Sequence, residues 1–313
     1  MNAQRIVILG GTGFVGGTLV PRLAADGHSL LLLSRNRENR RHSAVGRQVA
    51  TVSADVYDPA VLRRHIAGAD AVINLVGILS ESGRQTFQRA HIELTRLIIE
   101  ACQATGVHRL HQMSSLKAGQ GLSRYLRSRG EAEGLVKAST LDWTIYQPST
   151  IFGPGDGLVT RFDKLLRIAP VMPLPRPQAK MAPVYVGDVA EAIARSVANP
   201  AIGALRTFEL YGPETLTLID IVRAIRDARG RRRVVIPMPD SLGRLQAEFA
   251  QFVPGKPFTP DNFLSLRTDS VGKVDGLAQL GIAPQSFSAW LPRLLGQPVR
   301  QRRLDEARTK RRS

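Results

Sequence analysis

The chain of 313 residues is 43% apolar and 22% charged and carries a net charge of +17 at pH 7, a composition typical of a globular protein with a full hydrophobic core. Its single cysteine, Cys102, excludes an internal disulfide and a cysteine-based metal cluster. Aromatic residues make up only 5% of the chain, and no basic run is interleaved with them, so the positive charge does not indicate a nucleic-acid partner.

The first predicted element is also the most informative. Residues 6–16 read Ile-Val-Ile-Leu-Gly-Gly-Thr-Gly-Phe-Val-Gly, which predicts a strand, a tight turn and the start of a helix. Glycines spaced three apart permit the turn, the close approach of a pyrophosphate and the packing of the helix on the strand. The helix N-terminus offers its N–H groups to phosphate. We interpret the segment as a dinucleotide site, with a purely structural turn as the alternative. The predicted cofactor contacts are Gly10, Thr12, Gly13, Phe14, Val15 and Gly16.

The second strand ends in a basic sequence, Leu-Ser-Arg-Asn-Arg at 33–37. An acidic residue here would accept hydrogen bonds from the adenine ribose of NAD. Ser34 followed by Arg35 and Arg37 instead suits a 2′-phosphate, because a guanidinium binds phosphate oxygens through two parallel hydrogen bonds. We therefore expect NADP(H) as the preferred cofactor. NAD(H) stays open, as does a role of these arginines as surface charge only.

Strand and helix patterns alternate through residue 150. Short apolar runs predict strands at 6–9, 29–33, 49–53, 71–76, 109–113 and 143–147, and helical patterns occupy 17–26, 59–67, 86–105 and 124–138. This order predicts an α/β fold, a Rossmann-type doubly wound parallel sheet, in which ligands bind at the carboxyl ends of the strands.

Two further strand ends carry predicted cofactor contacts. Asp55 and Val56 close the third strand, where the aspartate could accept a hydrogen bond from the adenine amino group. Leu75, Val76 and Gly77 close the fourth strand, where small residues would let the cofactor lie against the backbone. Neither motif is specific alone, and their placement at successive strand ends is what makes them informative.

The pattern becomes irregular after Pro148, with a glycine-rich loop, a proline-rich stretch at 168–184, and then a helix near 187–198, a strand near 205–211 and a helix near 217–229. We expect a dinucleotide-binding core over 1–150 and a smaller, irregular C-terminal cap or substrate region over 151–296, interleaved with the core. A basic, flexible tail is expected over 297–313.

Candidate reactive groups lie at the fifth strand. Ser114 and Ser115 end it, and Tyr125 and Arg129 open the next helix, four residues apart and so on one helical face. With the motifs above, this arrangement resembles the short-chain dehydrogenase/reductase superfamily, in its extended and atypical branches. The resemblance covers Gly10–Gly16, Asp55–Val56, Asn74–Gly77, Ser114–Ser115, Tyr125–Arg129, Gln147–Gly153 and Pro183–Ala190.

The resemblance implies a catalytic set made of a serine, a tyrosine and a lysine four residues after the tyrosine. Here Arg129 stands at the lysine position. It keeps the positive charge, but its planar fork has a different reach and geometry, so the exchange is not conservative. Tyr125 is then either an acid–base residue of reduced strength or a cofactor contact. The resemblance also implies cofactor contacts at Tyr125, Arg129, Pro148 and Ile151.

Motifs further along narrow the resemblance. The run after Tyr125, the turn at 144–153, and the stretches 257–264, 280–282 and 290–295 are similar to the atypical group that contains the nucleotide-binding accessory subunit of respiratory complex I and its bacterial relatives. This implies tightly held NADP(H) and a structural or quinone-linked role, with respiratory-complex or quinone-synthesis proteins as partners. The alternative is a working NADP-dependent reductase, epimerase or dehydratase that uses Tyr125 on a small molecule of unknown identity.

The positive charge is concentrated in arginine clusters at 35–41 and 229–233 and in the tail, where seven basic residues stand against Asp305 and Glu306. These clusters are either solvated surface or a site for an anionic membrane surface or an acidic protein. Leu242, Leu245, Phe249 and Phe252 share one helical face, which either packs on the core or lies at a membrane interface.

Two expectations concern location and metals. The chain runs directly into its first strand, and no apolar run reaches the ~20 residues that span a bilayer. We therefore expect a cytoplasmic protein, with peripheral attachment to the inner face of the cytoplasmic membrane as the alternative. The histidines show no ligand spacing joined to carboxylates, so we expect no metal.

Overall fold

The computed structural model describes residues 3–34, 48–250 and 258–296. The first half alternates strands and helices. Its elements are β1 (Arg5–Leu9), α1 (Phe14–Ala25), β2 (Ser29–Ser34), β3 (Val49–Ser53), α2 (Pro59–Ile66), β4 (Ala71–Asn74), a π-helical segment (Gln88–Glu93) that runs directly into α3 (Leu94–Thr105), β5 (Arg109–Met113), α4 (Arg124–Lys137) and β6 (Asp142–Pro148).

The second half has shorter strands and more irregular connections. Its elements are β7 (Ile151–Phe152), α5 (Gly157–Ile168), β8 (Val171–Pro175), β9 (Lys180–Met181), β10 (Val184–Tyr185), α6 (Val186–Ala198), α7 (Pro200–Gly203), β11 (Arg206–Leu210), β12 (Leu216–Thr217), α8 (Leu218–Ala228), β13 (Val234–Met238), α9 (Asp240–Ala250), α10 (Pro260–Ser265), α11 (Gly276–Gln279) and α12 (Phe287–Leu295).

Seven of these strands form one parallel sheet in the order β11-β6-β5-β4-β1-β2-β3. The order reverses beside β1, as in a doubly wound sheet, so the predicted Rossmann-type fold is confirmed. The seventh strand, β11, comes from the second half of the chain and covers the edge of β6, with Phe208 opposite Tyr146.

Alternating side chains of β1 fill both faces of the sheet, as strand geometry requires. Ile6 and Ile8 are fully buried in a core shared with α1 and α6. Val7 and Leu9 are fully buried in a second core shared with α2 and α3. Because both faces are covered, the site has to lie at the carboxyl edge of the strands.

A third core holds the second half together. It lies around α5, α8 and α12, where Phe152, Ile221 and Phe287 are fully buried. Phe152 and Phe287 meet edge to face with ring centroids 5.1 Å apart, a favourable aromatic geometry. β8 and β13 form a two-stranded parallel ribbon beside this core.

Two predicted boundaries are wrong for local reasons. The fourth strand stops at Asn74, not at 76, because the Asn74 side-chain oxygen accepts a hydrogen bond from the Val76 N–H at 3.1 Å and turns the chain. The first helix begins at Phe14, not at 17, since Gly16 and Gly17 lie inside its first turns. Glycine has a low helix propensity, so the sequence predicts the start of this helix too late.

Candidate functional site

The glycine-rich loop between β1 and α1 forms the floor of the candidate site. Gly10 has a φ of +78°, a left-handed conformation that favours glycine, and its carbonyl accepts a hydrogen bond from the Gly13 N–H at 3.0 Å. A Cβ at Gly10 would lie 3.1 Å from the backbone of Leu75 and Val76. A Cβ at Gly16 would overlap the backbone of Gly11. Gly10 and Gly16 therefore cannot carry a side chain without a shift of the backbone around them.

The N-terminus of α1 is open to a ligand. Gly13 is its N-cap, and among the described residues no side chain caps this end and no acidic residue lies in its first turn. Gly13 is exposed, and Thr12, Phe14 and Val15 are half-buried around it. Free N–H groups and the positive end of the helix dipole suit an anion such as a pyrophosphate. The loop and helix therefore fit a bound dinucleotide.

The next two strand ends lie side by side. Ser34 at the end of β2 is buried and pairs in register with Ser53 of β3. Asp55 is exposed, with one carboxylate oxygen accepting from the Tyr57 N–H at 3.0 Å, while Val56 is buried. Arg35 and Arg37, the predicted contacts of a 2′-phosphate, lie outside the described residues.

An open cleft of about 420 Å³ borders this edge. The cleft is lined by the end of β3, the loops after β3 and β4 and the π-helical segment, with Asp55, Tyr57, Arg84 and Arg89 among the lining residues. The Arg89 guanidinium carbon lies 4.1 Å from the centroid of the Tyr57 ring, a cation–π contact that holds both side chains over the cleft. The site edge is thus positively charged as well as open.

Arg129 joins the ends of β4 and β5. It is buried, and its guanidinium donates to the carbonyl oxygens of Val76 at 3.4 Å and Met113 at 3.0 Å. A Cβ at Gly77 would overlap that guanidinium, so a larger residue there would require the Arg129 side chain to move. Within the described part of the chain, Arg129 makes no ion pair and its Nε has no hydrogen-bond partner. Its charge is therefore not balanced by a protein carboxylate among these residues.

The two candidate serines differ in their surroundings. Ser114 donates its hydroxyl to Glu133 at 2.6 Å, and the same carboxylate oxygen accepts from Gln147 at 2.7 Å. The hydroxyl of Ser115 is buried and has no partner in the ranges that the structure describes. The Ser114 hydroxyl therefore helps to join β5 to α4 and β6. The Ser115 hydroxyl is left able to donate and accept a hydrogen bond within the described ranges.

Tyr125 sits among aromatic rings near the start of α4. It is half-buried, with the rings of Phe87 and His91 edge-on at 6.0 and 5.7 Å. The Arg129 guanidinium carbon lies 5.7 Å from the centroid of the Tyr125 ring. The cation and the phenol therefore share one helical face, as the spacing predicts.

His91 is a neutral structural group behind Tyr125. Its Nε2 accepts from the Ile78 N–H at 3.2 Å, so the proton is assigned to Nδ1, which lies 2.8 Å from the Ser128 hydroxyl. Ser128 in turn donates to the Tyr125 carbonyl at 2.8 Å. Burial, together with the nearby Arg129 charge, lowers the pKa of His91 to about 2. The imidazole therefore stays uncharged at neutral pH and orients α4 against the loop after β4.

A C-terminal residue holds the start of α4. The Asp261 carboxylate accepts from the backbone N–H groups of Arg124 at 2.6 Å and Tyr125 at 3.1 Å. Its neighbour Asn262 donates to the Leu79 carbonyl at 3.0 Å. Helix α10 thus clamps the helix that carries Tyr125 to the loop after β4. The motif at 257–264 contributes to the predicted resemblance, but its sequence does not indicate this contact.

The remaining predicted cofactor contacts lie at the end of β6 and just after it. The Pro148 carbonyl accepts from the Leu116 N–H at 2.8 Å, so this turn is joined to the loop after β5. Ile151 is half-buried in β7, opposite Val184 of β10. The glycine loop and the ends of β4, β5 and β6 therefore lie along one edge of the molecule, and each residue's role in binding or catalysis stays a prediction.

Part of the predicted basic and apolar surface is corrected. Arg229 and Arg231 pair with Asp163 at 2.9 and 2.8 Å, so these two cations of the 229–233 cluster are used inside the fold. Leu242 and Leu245 are 54% and 49% exposed, so core packing of that helical face is wrong at these positions. The Phe249 side chain, Phe252 and the tail over 297–313 lie outside the described part.

Comparisons with known proteins agree with this geometry. A family model described as NAD(P)H-binding matches residues 10–200. The chain is 29% identical over 236 residues to a Caulobacter vibrioides protein named ceramide reductase, covering 75% of this chain and 74% of that one. It is 28% identical over 289 residues to NADH dehydrogenase (ubiquinone) 1 alpha subcomplex subunit 9, mitochondrial, of Rattus norvegicus, covering 88% and 76%.

Solved structures give the same fold. An NADPH-dependent quinone oxidoreductase from Escherichia coli, complexed with NADPH, superposes with a TM-score of 0.77 at 18% identity, over 93% of this chain and 100% of that one. At this identity the likeness establishes the fold alone. The predicted resemblance to the short-chain dehydrogenase/reductase superfamily and to the complex I subunit is confirmed.

Proposed function

The chain belongs to the NAD(P)H-binding family, and on that premise we propose that it holds NADP(H) as an accessory or assembly protein of a respiratory or quinone-linked complex, with weak or absent turnover. The likeness over 88% of the chain to a subunit of NADH dehydrogenase supports the partner class.

The arrangement of Arg129 carries the proposal. The guanidinium is bound by two main-chain carbonyls at the ends of β4 and β5, which supports a fixed contact for a dinucleotide. A guanidinium is planar and donates through a rigid fork, so it does not replace the ammonium of a lysine in reach or geometry. When bound, the nicotinamide accepts or gives a hydride, and these residues would bind and orient it.

The preference for NADP(H) is a separate part of the proposal. Ser34 ends β2 where an acidic residue would favour NAD, and Arg35 and Arg37 follow it in the sequence. Replacing both arginines with alanine should weaken NADPH binding about tenfold more than NADH binding, since only NADPH carries the 2′-phosphate that they would hold. Isothermal titration of both cofactors measures this, and equal weakening would contradict the assignment.

A reductase that acts through Tyr125 is the second candidate. The hydroxyl of Ser115, which has no partner among the described residues, favours it, because a hydroxyl with free donor and acceptor capacity could bind a substrate carbonyl. The likeness to a protein named ceramide reductase supports a lipid as the substrate. In this case Tyr125 would supply the proton, Ser115 would orient the substrate, and Arg129 would hold the cofactor.

One experiment separates the two candidates. NADPH is added to the purified full chain, and cofactor fluorescence is followed before and after addition of a short-chain, water-soluble quinone or of a ceramide analogue that carries a ketone, which can accept the hydride. Tight binding without oxidation supports the accessory protein. Sustained oxidation that Tyr125→Phe abolishes, with cofactor affinity unchanged, supports the reductase and would overturn the first proposal.

A further inference from the structure

The described part of the chain leaves an unusual group of apolar side chains exposed at one place in the second half. Leu165 and Ile168 at the end of α5 are 39% and 76% exposed, and Val171 at the start of β8 is 45% exposed. Val234 and Ile236 of β13 are 56% and 45% exposed. Large apolar side chains that are scattered singly need no explanation, but a contiguous set indicates an interaction surface.

Backbone contacts show that these five residues are neighbours. Val234 is directly opposite Val171 in the register of the β8–β13 ribbon, and its N–H donates to the Pro170 carbonyl at 3.1 Å. The Arg233 side chain donates to the Leu166 carbonyl at 3.2 Å, which joins the end of α5 to the start of β13. These contacts join the segments that carry the five exposed residues, and we call the surface formed by those residues the ribbon face.

The two sides of the β8–β13 ribbon differ, as is usual for strands at a protein surface. Met172 and Val235 alternate with its exposed residues and point into the third core, where they are 6% and 6% exposed. The core needs only these inward residues. Val171, Val234 and Ile236 lie outside that core, and strand propensity alone would be satisfied by threonine, which is less apolar.

Exposed cations lie on the same elements. Lys164, Arg167 and Arg232 are exposed and make no ion pair within the described residues. Asp163 is the only acidic residue in 157–175 and 229–238, and it is already paired with Arg229 and Arg231. The ribbon face is thus apolar in its middle, positive at its rim and free of unpaired acid within these two ranges.

From this combination we propose that the ribbon face docks on the surface of an anionic phospholipid bilayer. The apolar side chains would enter the boundary between head groups and acyl chains, and the cations would bind the lipid phosphates. No described helix is long and apolar enough to cross a bilayer, so the contact is interfacial. The inference rests on the proposed function in one respect: both candidates, a respiratory accessory protein and a lipid reductase, work at a membrane.

The test is co-sedimentation of the purified full chain with vesicles of phosphatidylcholine alone or mixed with phosphatidylglycerol. The wild type should bind the anionic vesicles, less so as salt rises. Removing the rim charges with Lys164→Gln, Arg167→Gln and Arg232→Gln should weaken that binding about tenfold or more. An apolar variant, Ile168→Gln with Val234→Thr and Ile236→Thr, should weaken it at high salt as well.

The controls separate this surface from general positive charge. Arg63→Gln, Arg64→Gln and Arg96→Gln remove the same charge from exposed positions of α2 and α3, and Val274→Thr changes an apolar residue that is 55% exposed elsewhere. Both should bind vesicles as the wild type does. Equal weakening by test and control variants, or wild-type binding in all of them, would overturn the inference.

Two further outcomes are informative. If the ribbon-face variants bind vesicles normally but no longer associate with isolated respiratory membranes, the surface binds a protein and the lipid inference is wrong. NADPH affinity is measured on every variant in parallel. Lost vesicle binding at unchanged NADPH affinity supports the inference, whereas an absence of NADPH binding in the wild type would refute the proposed function and leave the vesicle result standing.

Discussion

Arginine serves opposite purposes at the sheet edge and at the ribbon face. Arg129 is enclosed at the ends of β4 and β5, where it is bound to two carbonyls and its guanidinium packs against Gly77. Arg167 and Arg232 lie exposed beside apolar side chains. The net charge of +17 is therefore not one property. Its role has to be assigned residue by residue, from what each cation touches.

The largest expected effect concerns the enclosed edge. Gly16→Ala should lower the free energy of unfolding by about 3 kcal/mol and abolish dinucleotide binding, since its Cβ would overlap the Gly11 backbone and push α1 away from the loop. Gly17→Ala is the matched control, because a Cβ there meets nothing within 4 Å. Denaturant unfolding and NADPH titration measure both variants. A Gly17 variant as damaged as the Gly16 variant would contradict the explanation.

The enclosed cation itself is tested next. Arg129→Met keeps much of the side-chain volume and removes the charge, so NADPH binding should weaken about tenfold, in line with loss of a charged hydrogen bond. Arg127→Met, on the exposed side of the same helix, should leave the affinity unchanged. If the two variants behave alike in titration, Arg129 is a packing residue and the comparison with the ribbon face fails.

A smaller effect is expected where the second half clamps the site. Asp261→Ala removes the acceptor for two N–H groups at the start of α4 and should cost about 1 kcal/mol of stability. Cofactor binding should weaken with it, since Tyr125 and Arg129 lie on that helix. Asp261→Asn keeps one acceptor oxygen and should recover part of both losses. Denaturant unfolding and NADPH titration are measured in parallel. A loss of stability without a loss of NADPH affinity would contradict a clamp on the site.

At neutral pH the smallest effect is that of His91, because it appears only as the pH falls. Burial lowers the pKa of His91 in the folded protein, so the unfolded chain binds its proton more tightly. The stability that neutral His91 contributes is complete above its unfolded pKa of ~6.5 and is lost as pH falls from there toward about 2. Wild type should therefore lose up to ~1.4 kcal/mol per pH unit more than His91→Gln below pH ~6. Identical slopes would show that His91 is not held neutral.

Much of the sheet could be predicted from the sequence because β1, β2 and β4 are short apolar runs that end at a polar residue or just before a glycine. β5 and β11 are mixed in polarity and carry a weaker signal. The local motifs at Gly10–Gly16 and at Gly77 likewise needed no distant information. Asp261, Glu133 and His91 could not be assigned in the same way, since their partners are set by packing of distant segments. Nothing local distinguishes Ser114 from Ser115 either, because the difference is made by the Glu133 carboxylate alone.

The ribbon face illustrates a second limit. The sequence predicts an amphipathic helix at 242–252. Its exposed leucines cannot be told from core residues by sequence alone, and the same holds for the exposed valine and isoleucine of β13. Val234, Val235 and Ile236 are all apolar, so no alternation of apolar and polar residues indicates which side chains face solvent. The third core decides it, by accepting Val235 and excluding its neighbours.

The position of β11 has a consequence for synthesis. β6 is completed at Pro148, yet the strand that covers its edge, Arg206–Leu210, comes from much later in the chain. While the ribosome makes the intervening segment, the nascent sheet carries an open edge with unpaired backbone groups, the kind of edge on which other chains aggregate. The growing chain therefore passes through a stage at which a chaperone that binds exposed strands would protect it, and a truncated product that stops before residue 206 would never leave that stage.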